Sequence, residues 1–226
     1  MKKFDRRKFF GFCAGAGLGI CAAPSKGERV KIIGIACSPR KGKTTFAGLK
    51  VCLEAARSVD QRIETELIEL ADYQIDGNLA AGVPSKPNVK DDFQKVAARL
   101  FDPALGGIII GTPVYFANMS SLCKAFLDRL IVFRKKGFAL RNKVAGVLAV
   151  GGARNGGQEL AIRSVQAALM CQDLIIVGDG KPTARIGATL WNRGDDVSQD
   201  EFGLQTARNL GRRVAELALV MGSSKL

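Results

Sequence analysis

The run at residues 105–111, LGGIIIG, constrains this chain most. A half-exposed strand would alternate apolar with polar side chains. An unbroken apolar run reads as a strand buried on both faces, the mark of a parallel sheet with helices on each side. Residues 30–37 and 144–151 repeat the pattern, residues 63–70 alternate as a second strand, and residues 174–177 supply a last one. Helical spacing fills the intervals at about 44–58, 91–100, 119–133, 158–170 and 201–221. In the 119–133 segment Leu122, Phe126, Leu130 and Phe133 share one side, as one long amphipathic helix requires. Strand and helix alternate throughout, so the expected architecture is α/β: an open parallel five-stranded sheet with helices on both faces. Residues 183–196, which hold the lone Trp191, take no assignment.

In such sheets guests sit outside the carboxyl ends of the strands, at the point where strand order reverses. Three turn-rich loops fall there, at residues 38–45, 112–120 and 152–157. The first reads Ser38-Pro39-Arg40-Lys41-Gly42-Lys43-Thr44-Thr45. Pro39 stops the strand because it lacks an N–H. Gly42 lets the backbone turn closely, and the helix that follows offers unpaired N–H groups and the positive end of its dipole. With hydroxyls and cations in the same few residues, this loop is built to hold a phosphate. Gly42-Lys43-Thr44 also ends like a nucleotide-triphosphatase P-loop, but Cys37 stands where that pattern needs its first glycine.

Composition narrows the chemistry. The chain contains no histidine, which excludes Ser-His-Asp and Cys-His machinery and imidazole-based zinc sites. A protein so poor in acid–base groups is expected to rely on a cofactor. The formal net charge is +13, yet the cations are spread along the chain without interleaved aromatics, so a nucleic-acid partner is not expected.

Residues 1–26 read as a targeting segment and residues 27–226 as one domain. Lys2, Lys3, Arg6, Arg7 and Lys8 precede an apolar stretch at 9–23 that is short for a bilayer span. The core Asp5-Arg6-Arg7-Lys8-Phe9-Phe10 resembles the bacterial twin-arginine signal, a route for proteins already folded around a cofactor. Export to the periplasm or another extracytoplasmic space is the expectation. The alternative is an uncleaved anchor in the inner membrane, and any membrane contact is assigned to this segment alone.

Residues 111–120 (GTPVYFANMS), followed by residues 122–129 (LCKAFLDR), resemble the flavin-binding stretch of the NADPH-dependent FMN reductase and iron–sulfur flavoprotein group, which has the flavodoxin-like fold. Residues 38–45 are similar to that group's FMN phosphate loop and residues 151–159 (GGARNGGQE) to its third flavin loop. The resemblance spans roughly residues 30–180. It implies that Ser38, Arg40, Gly42, Lys43, Thr44 and Thr45 hold the FMN phosphate. It implies also that Pro113, Val114, Tyr115, Phe116 and Asn118 border the ribityl chain and ring edge, and that Gly152, Arg154, Asn155, Gly156 and Gly157 approach the ring. FMN is then the cofactor and NADPH or NADH the reductant, with a small acceptor such as a flavin or quinone as partner and a homodimer or homotetramer as the assembly. A non-enzymatic FMN electron carrier is the nearest alternative, and a P-loop hydrolase a distant one.

The chain departs from the group in one respect. The iron–sulfur flavoproteins carry a compact cysteine cluster after the second strand, whereas the long polar connection here, residues 71–88, has no cysteine. Cys13, Cys21, Cys37, Cys52, Cys123 and Cys171 show no C-x-x-C spacing, so an iron–sulfur cluster is not expected. The last four are expected to be buried, inert thiols, with a disulfide as the alternative for an exported protein.

Overall fold

The computed structural model describes residue 27 and residues 29–223; residues 1–26, expected to be a targeting segment, lie outside them. Among the described residues six strands form one parallel sheet: β1 (Val30–Ala36), β2 (Ile63–Glu69), β3 (Leu105–Pro113), β4 (Val144–Gly151), β5 (Ile175–Ile176) and β6 (Ala188–Trp191). Their order is β2-β1-β3-β4-β5, with β6 also paired to β4. The chain leaves β1 towards β2 and then crosses back to β3, so strand order reverses between β1 and β3. Ligands of open α/β sheets settle beyond the carboxyl ends at such a point.

The sheet is a buried wall, as the apolar runs require. Ile33, Ile35, Ile108, Ile110 and Val147 pack on one side against α2 (Phe93–Leu100), α3 (Ser121–Arg129), α4 (Ile131–Lys135) and α5 (Gln158–Met170). Ile32, Ile109, Leu148 and Leu190 pack on the other against α1 (Thr44–Arg57) and α6 (Glu201–Ser223). Successive side chains point to opposite faces of a strand, so every residue of β3 and β4 has a core to enter. Helix α6 lies so close to α1 that a Cβ at Gly211 would collide with the Cys52 carbonyl oxygen.

The structure bears out the expected open parallel sheet, adds one strand to it and corrects two further expectations. The fifth sheet position is filled twice: Ile175–Ile176 pairs with Val144 and Ala145, and Ala188–Trp191 takes over beside Leu148 to Gly151. The unassigned Trp191 segment therefore contains a strand. The long helix expected at 119–133 begins at an N-cap, Ser120, and is interrupted at Leu130. There Leu130 N–H bonds the Leu127 carbonyl (3.1 Å) and Phe133 N–H the Leu130 carbonyl (2.9 Å). This tighter winding keeps Leu130 and Phe133 both fully buried. Finally, Cys37, Cys52 and Cys123 are buried free thiols, but Cys171, in the turn after α5, is exposed. Among the described residues no helix is long and apolar enough to cross a membrane.

Candidate cofactor site

The three loops stand together on the carboxyl edge of the sheet, and a buried knot joins the first two. Ser120 Oγ donates to the Cys37 carbonyl (2.6 Å), at the root of the first loop, and accepts from Cys123 N–H (3.0 Å). Ser120 N–H in turn reaches Thr112 Oγ1 (3.1 Å). Burial raises the Cys37 thiol well above its ordinary pKa, with the neighbouring Cys123 adding to the effect. Both sulfurs act here as packing.

The first loop gathers cations and free helix N–H groups. Ser38 is buried and closes a local turn, its Oγ accepting from Arg40 N–H at 3.1 Å. Gly42 sits at φ +65°, a left-handed conformation that glycine adopts without strain, and a Cβ there would meet nothing within 4 Å. Helix α1 starts after Lys43 with no side-chain cap and no acidic residue in its first turn, leaving its N–H groups and dipole to the loop. Arg40 and Lys43 are half-exposed and face one carboxylate, Asp195: Arg40 Nη1 lies 2.6 Å from Oδ1 and Lys43 Nζ 3.4 Å from Oδ2. Gly42 N–H donates to Glu69 Oε2 (2.7 Å), and Lys41 pairs with Asp72 (2.6 Å). Thr44 and Thr45 are buried, and the Thr45 methyl stands 3.1 Å from where a Cβ at Gly111 would be, on the floor of the sheet.

The second loop presents aromatics on a tight turn. Tyr115 N–H bonds the Asn118 carbonyl (2.9 Å) and Asn118 N–H the Tyr115 carbonyl (3.0 Å). The two central residues, Phe116 (φ +50°) and Ala117 (φ +60°), are both left-handed and neither is glycine. Each such residue costs about 1–2 kcal/mol. Phe116 is fully exposed and Tyr115 half so. Asn118 Oδ1 accepts from Met119 N–H (2.8 Å), and Val114 N–H from the edge of Pro113 bonds the Val150 carbonyl (2.9 Å).

The third loop is shaped by a buried glutamine. Gln158 Oε1 accepts from Gly156 N–H (2.8 Å), and its Nε2 donates to the carbonyls of Ala153 (2.6 Å) and Leu190 (3.2 Å). Gly157, at φ +93°, touches the second loop: a Cβ there would lie 2.8 Å from Ala117 Cα. Gly152 is open, with nothing within 4 Å of a Cβ, and Asn155 is exposed. Arg154 does not join them. Its guanidinium turns to the buried Asp200 and to the Thr189 carbonyl, and burial pulls its pKa down.

The β6–α6 connection forms a fourth side that sequence reasoning left blank. Trp191 Nε1 donates to the Gly152 carbonyl (3.1 Å), and Trp191 N–H donates to Asp200 Oδ2 (2.7 Å). Arg193 stacks on the indole at 4.6 Å. A second tight turn, between Arg193 and Asp196, then carries Asp195 to the first loop. The Gly194-Asp195 pair is a turn signal, but its partners lie 155 residues away, beyond local patterns. The Oδ1 of Asn192, just after β6, is buried without a partner.

These features fit FMN. Uncapped α1 N–H groups with Arg40 and Lys43 suit a phosphate. The open backbone at Gly152 admits a flat ring. An iron–sulfur cluster does not fit: residues 71–92 contain no cysteine, and among the described residues no three His, Cys, Asp or Glu side chains are grouped to hold a metal ion.

Comparison with known proteins agrees with the geometry. Residues 30–188 match the NADPH-dependent FMN reductase family. An iron–sulfur flavoprotein of Methanocaldococcus jannaschii is 39% identical over 194 residues, covering 83% of this chain and 97% of that one. A NAD(P)H dehydrogenase (quinone) of Acidithiobacillus ferrooxidans is 32% identical over 124 residues, 49% of this chain and 62% of that one. Among solved structures, a WrbA-like flavodoxin from Agrobacterium tumefaciens superposes with TM-score 0.56 at 19% identity, covering 84% of this chain and 98% of that one, and shares the fold. The chain belongs to the NADPH-dependent FMN reductase family, a family of oxidoreductases that work with FMN and a reduced nicotinamide.

Proposed function

We propose that this protein oxidises NADPH or NADH and hands the electrons to a small, flat, diffusible acceptor, a free flavin or a quinone. Two exposed features of the loops support the reading: the backbone is bare at Gly152, and Phe116 is fully exposed on a strained turn. Strain of this kind gathers at ligand clamps. Bound FMN supplies the chemistry, accepting an electron pair and returning it. The chain's own residues bind and orient. Arg40, Lys43 and the first N–H groups of α1 hold the phosphate, and the Ser120 knot fixes the second loop relative to the first. Val114, Tyr115, Phe116 and Asn118 border the ring, and Gln158 and Trp191 hold the third loop in shape. Similarity to a quinone dehydrogenase supports the quinone as acceptor. Steady-state NADPH oxidation by the FMN-loaded protein tests this. Oxidation stimulated at least tenfold by a soluble quinone or riboflavin supports the proposal, and oxidation that neither stimulates rejects it in favour of an electron carrier.

We further propose export through the twin-arginine motif at Arg6-Arg7, supported by the basic and apolar segments around it. Substituting both arginines with lysine is expected to leave the protein in the cytoplasmic fraction. An unchanged distribution would count against export. The assembly we propose is a homodimer or homotetramer, supported by the family resemblance and checked by light scattering.

A further inference from the structure

The cations of the first loop already face an anion from another part of the chain. Asp195 reaches Arg40 with one oxygen (2.6 Å) and Lys43 with the other (3.4 Å). It arrives preorganised. The turn that carries it is closed by Arg193 N–H to the Asp196 carbonyl (2.8 Å) and Asp196 N–H to the Arg193 carbonyl (3.2 Å). Asp196 also caps Ser198 N–H (2.8 Å). A second carboxylate, Glu69, takes the Gly42 N–H. Arg40 first and Lys43 second hold the Asp195 carboxyl below its usual range, so it is charged at neutral pH. All three side chains are close to half-exposed, so one anion can replace another there without burying a bare charge.

We infer that Asp195 is a built-in counter-anion of the phosphate site, which competes with the FMN phosphate for Arg40 and Lys43 and so sets how strongly this protein prefers FMN over riboflavin. The inference rests on the assignment of the phosphate to this loop. A phosphate placed on these cations gains only the difference between its own attraction and that of Asp195. Riboflavin, having no phosphate, leaves the ion pairs in place and gains or loses nothing from them. The carboxylate therefore narrows the margin between the two flavins, which suits a protein that meets both as cofactor and as substrate.

The test is a pair of dissociation constants, for FMN and for riboflavin, measured by flavin fluorescence quenching on the full chain. Asp195→Asn keeps the shape and tolerates φ +64°. It is expected to tighten FMN by on the order of two- to twentyfold, the range spanned by two exposed ion pairs, and to leave riboflavin unchanged. Glu69→Gln is expected to act in the same direction and less strongly. FMN binding weakened or unaltered by Asp195→Asn, with the melting temperature preserved, overturns the inference, because Asp195 would then orient the cations or be indifferent to the ligand. The substitutions Arg40→Gln and Lys43→Gln separate this from the underlying assignment. If adding these two substitutions to Asp195→Asn, where no carboxylate offsets the cations, costs no FMN affinity relative to riboflavin, the phosphate does not rest on Arg40 and Lys43 and the assignment itself falls.

Discussion

Two tight turns stand on the carboxyl edge with the same hydrogen-bond pattern and different contents. One runs from Tyr115 to Asn118 and the other from Arg193 to Asp196, each closed by a reciprocal pair of backbone bonds. Both bend through left-handed central residues, Phe116-Ala117 in the first and Gly194-Asp195 in the second. Glycine adopts that conformation freely and aspartate at small cost, whereas phenylalanine and alanine pay about 1–2 kcal/mol each. The second turn is an inexpensive way to aim a carboxylate. The first holds an aromatic ring in solvent against its conformational preference, and its neighbours keep it there through the Ser120 knot, the Asn118 Oδ1 bond and the contact with Gly157. Where cheap and costly solutions coexist at one edge, the costly one marks the side chain whose position matters.

That contrast can be broken from several sides. The largest effect is expected at Gly157→Ala, whose Cβ meets Ala117 Cα at 2.8 Å from a backbone at φ +93°. Strain and overpacking together should destabilise the protein by about 2–5 kcal/mol in urea unfolding. Flavin affinity should drop with it, as the second loop is pushed outward. A variant as stable as the parent would show that the two loops do not press on one another.

Next comes the exchange of contents. Placing Asn-Gly at Phe116-Ala117 gives the first turn residues suited to its geometry. Stability should rise by about 1–3 kcal/mol, while FMN binds more weakly. A gain in both would mean the strain has no role at the site.

A smaller loss is expected from Trp191→Phe, which removes the bond to the Gly152 carbonyl (3.1 Å) and leaves the stacking surface for Arg193. About 1 kcal/mol of stability should go, with looser flavin binding and an unchanged first loop.

The smallest effect separates the turns by pH. Asp195 has a lowered carboxyl pKa in the folded protein, so its contribution is complete above the ordinary aspartate value near 4 and fades as pH falls below it. Asp92, held at about 2 by Lys95 and then by Gln74 N–H and Lys90, follows the same rule at the edge of α2. Melting temperature should therefore fall in acid below about pH 4, and Asp195→Asn should flatten a small part of that slope. The Tyr115/Asn118 turn holds no carboxylate, and its variants should shift the curve without changing its shape.

Much of the framework could be read from the chain because it depends on neighbours in sequence. The apolar runs dictate β1, β3 and β4 within a residue or two, and Pro39 and Gly42 locate the turn between β1 and α1. What escaped depends on distant partners. Only four residues long, β6 has no pattern of its own and exists because Leu148 to Gly151 leave an edge unpaired beyond β5. Arg154 sits in the third loop in sequence, yet Asp200 draws its charge downward. Thr44 and Thr45, whose hydroxyls the pattern offers to a phosphate, are both buried in the first turn of α1, a burial that no local pattern announces. Leu130 carries the helical pattern straight through an interruption because packing of Phe133 is preserved across it.

The central claim is that this carboxyl edge holds FMN and accepts electrons from a reduced nicotinamide. The most direct measurement is the visible absorption spectrum of the purified full chain, reconstituted with FMN, before and after anaerobic addition of NADPH. A bound-flavin spectrum that bleaches on addition is the predicted result. A protein that retains no flavin after reconstitution, or whose bound flavin neither NADPH nor NADH bleaches, would contradict it.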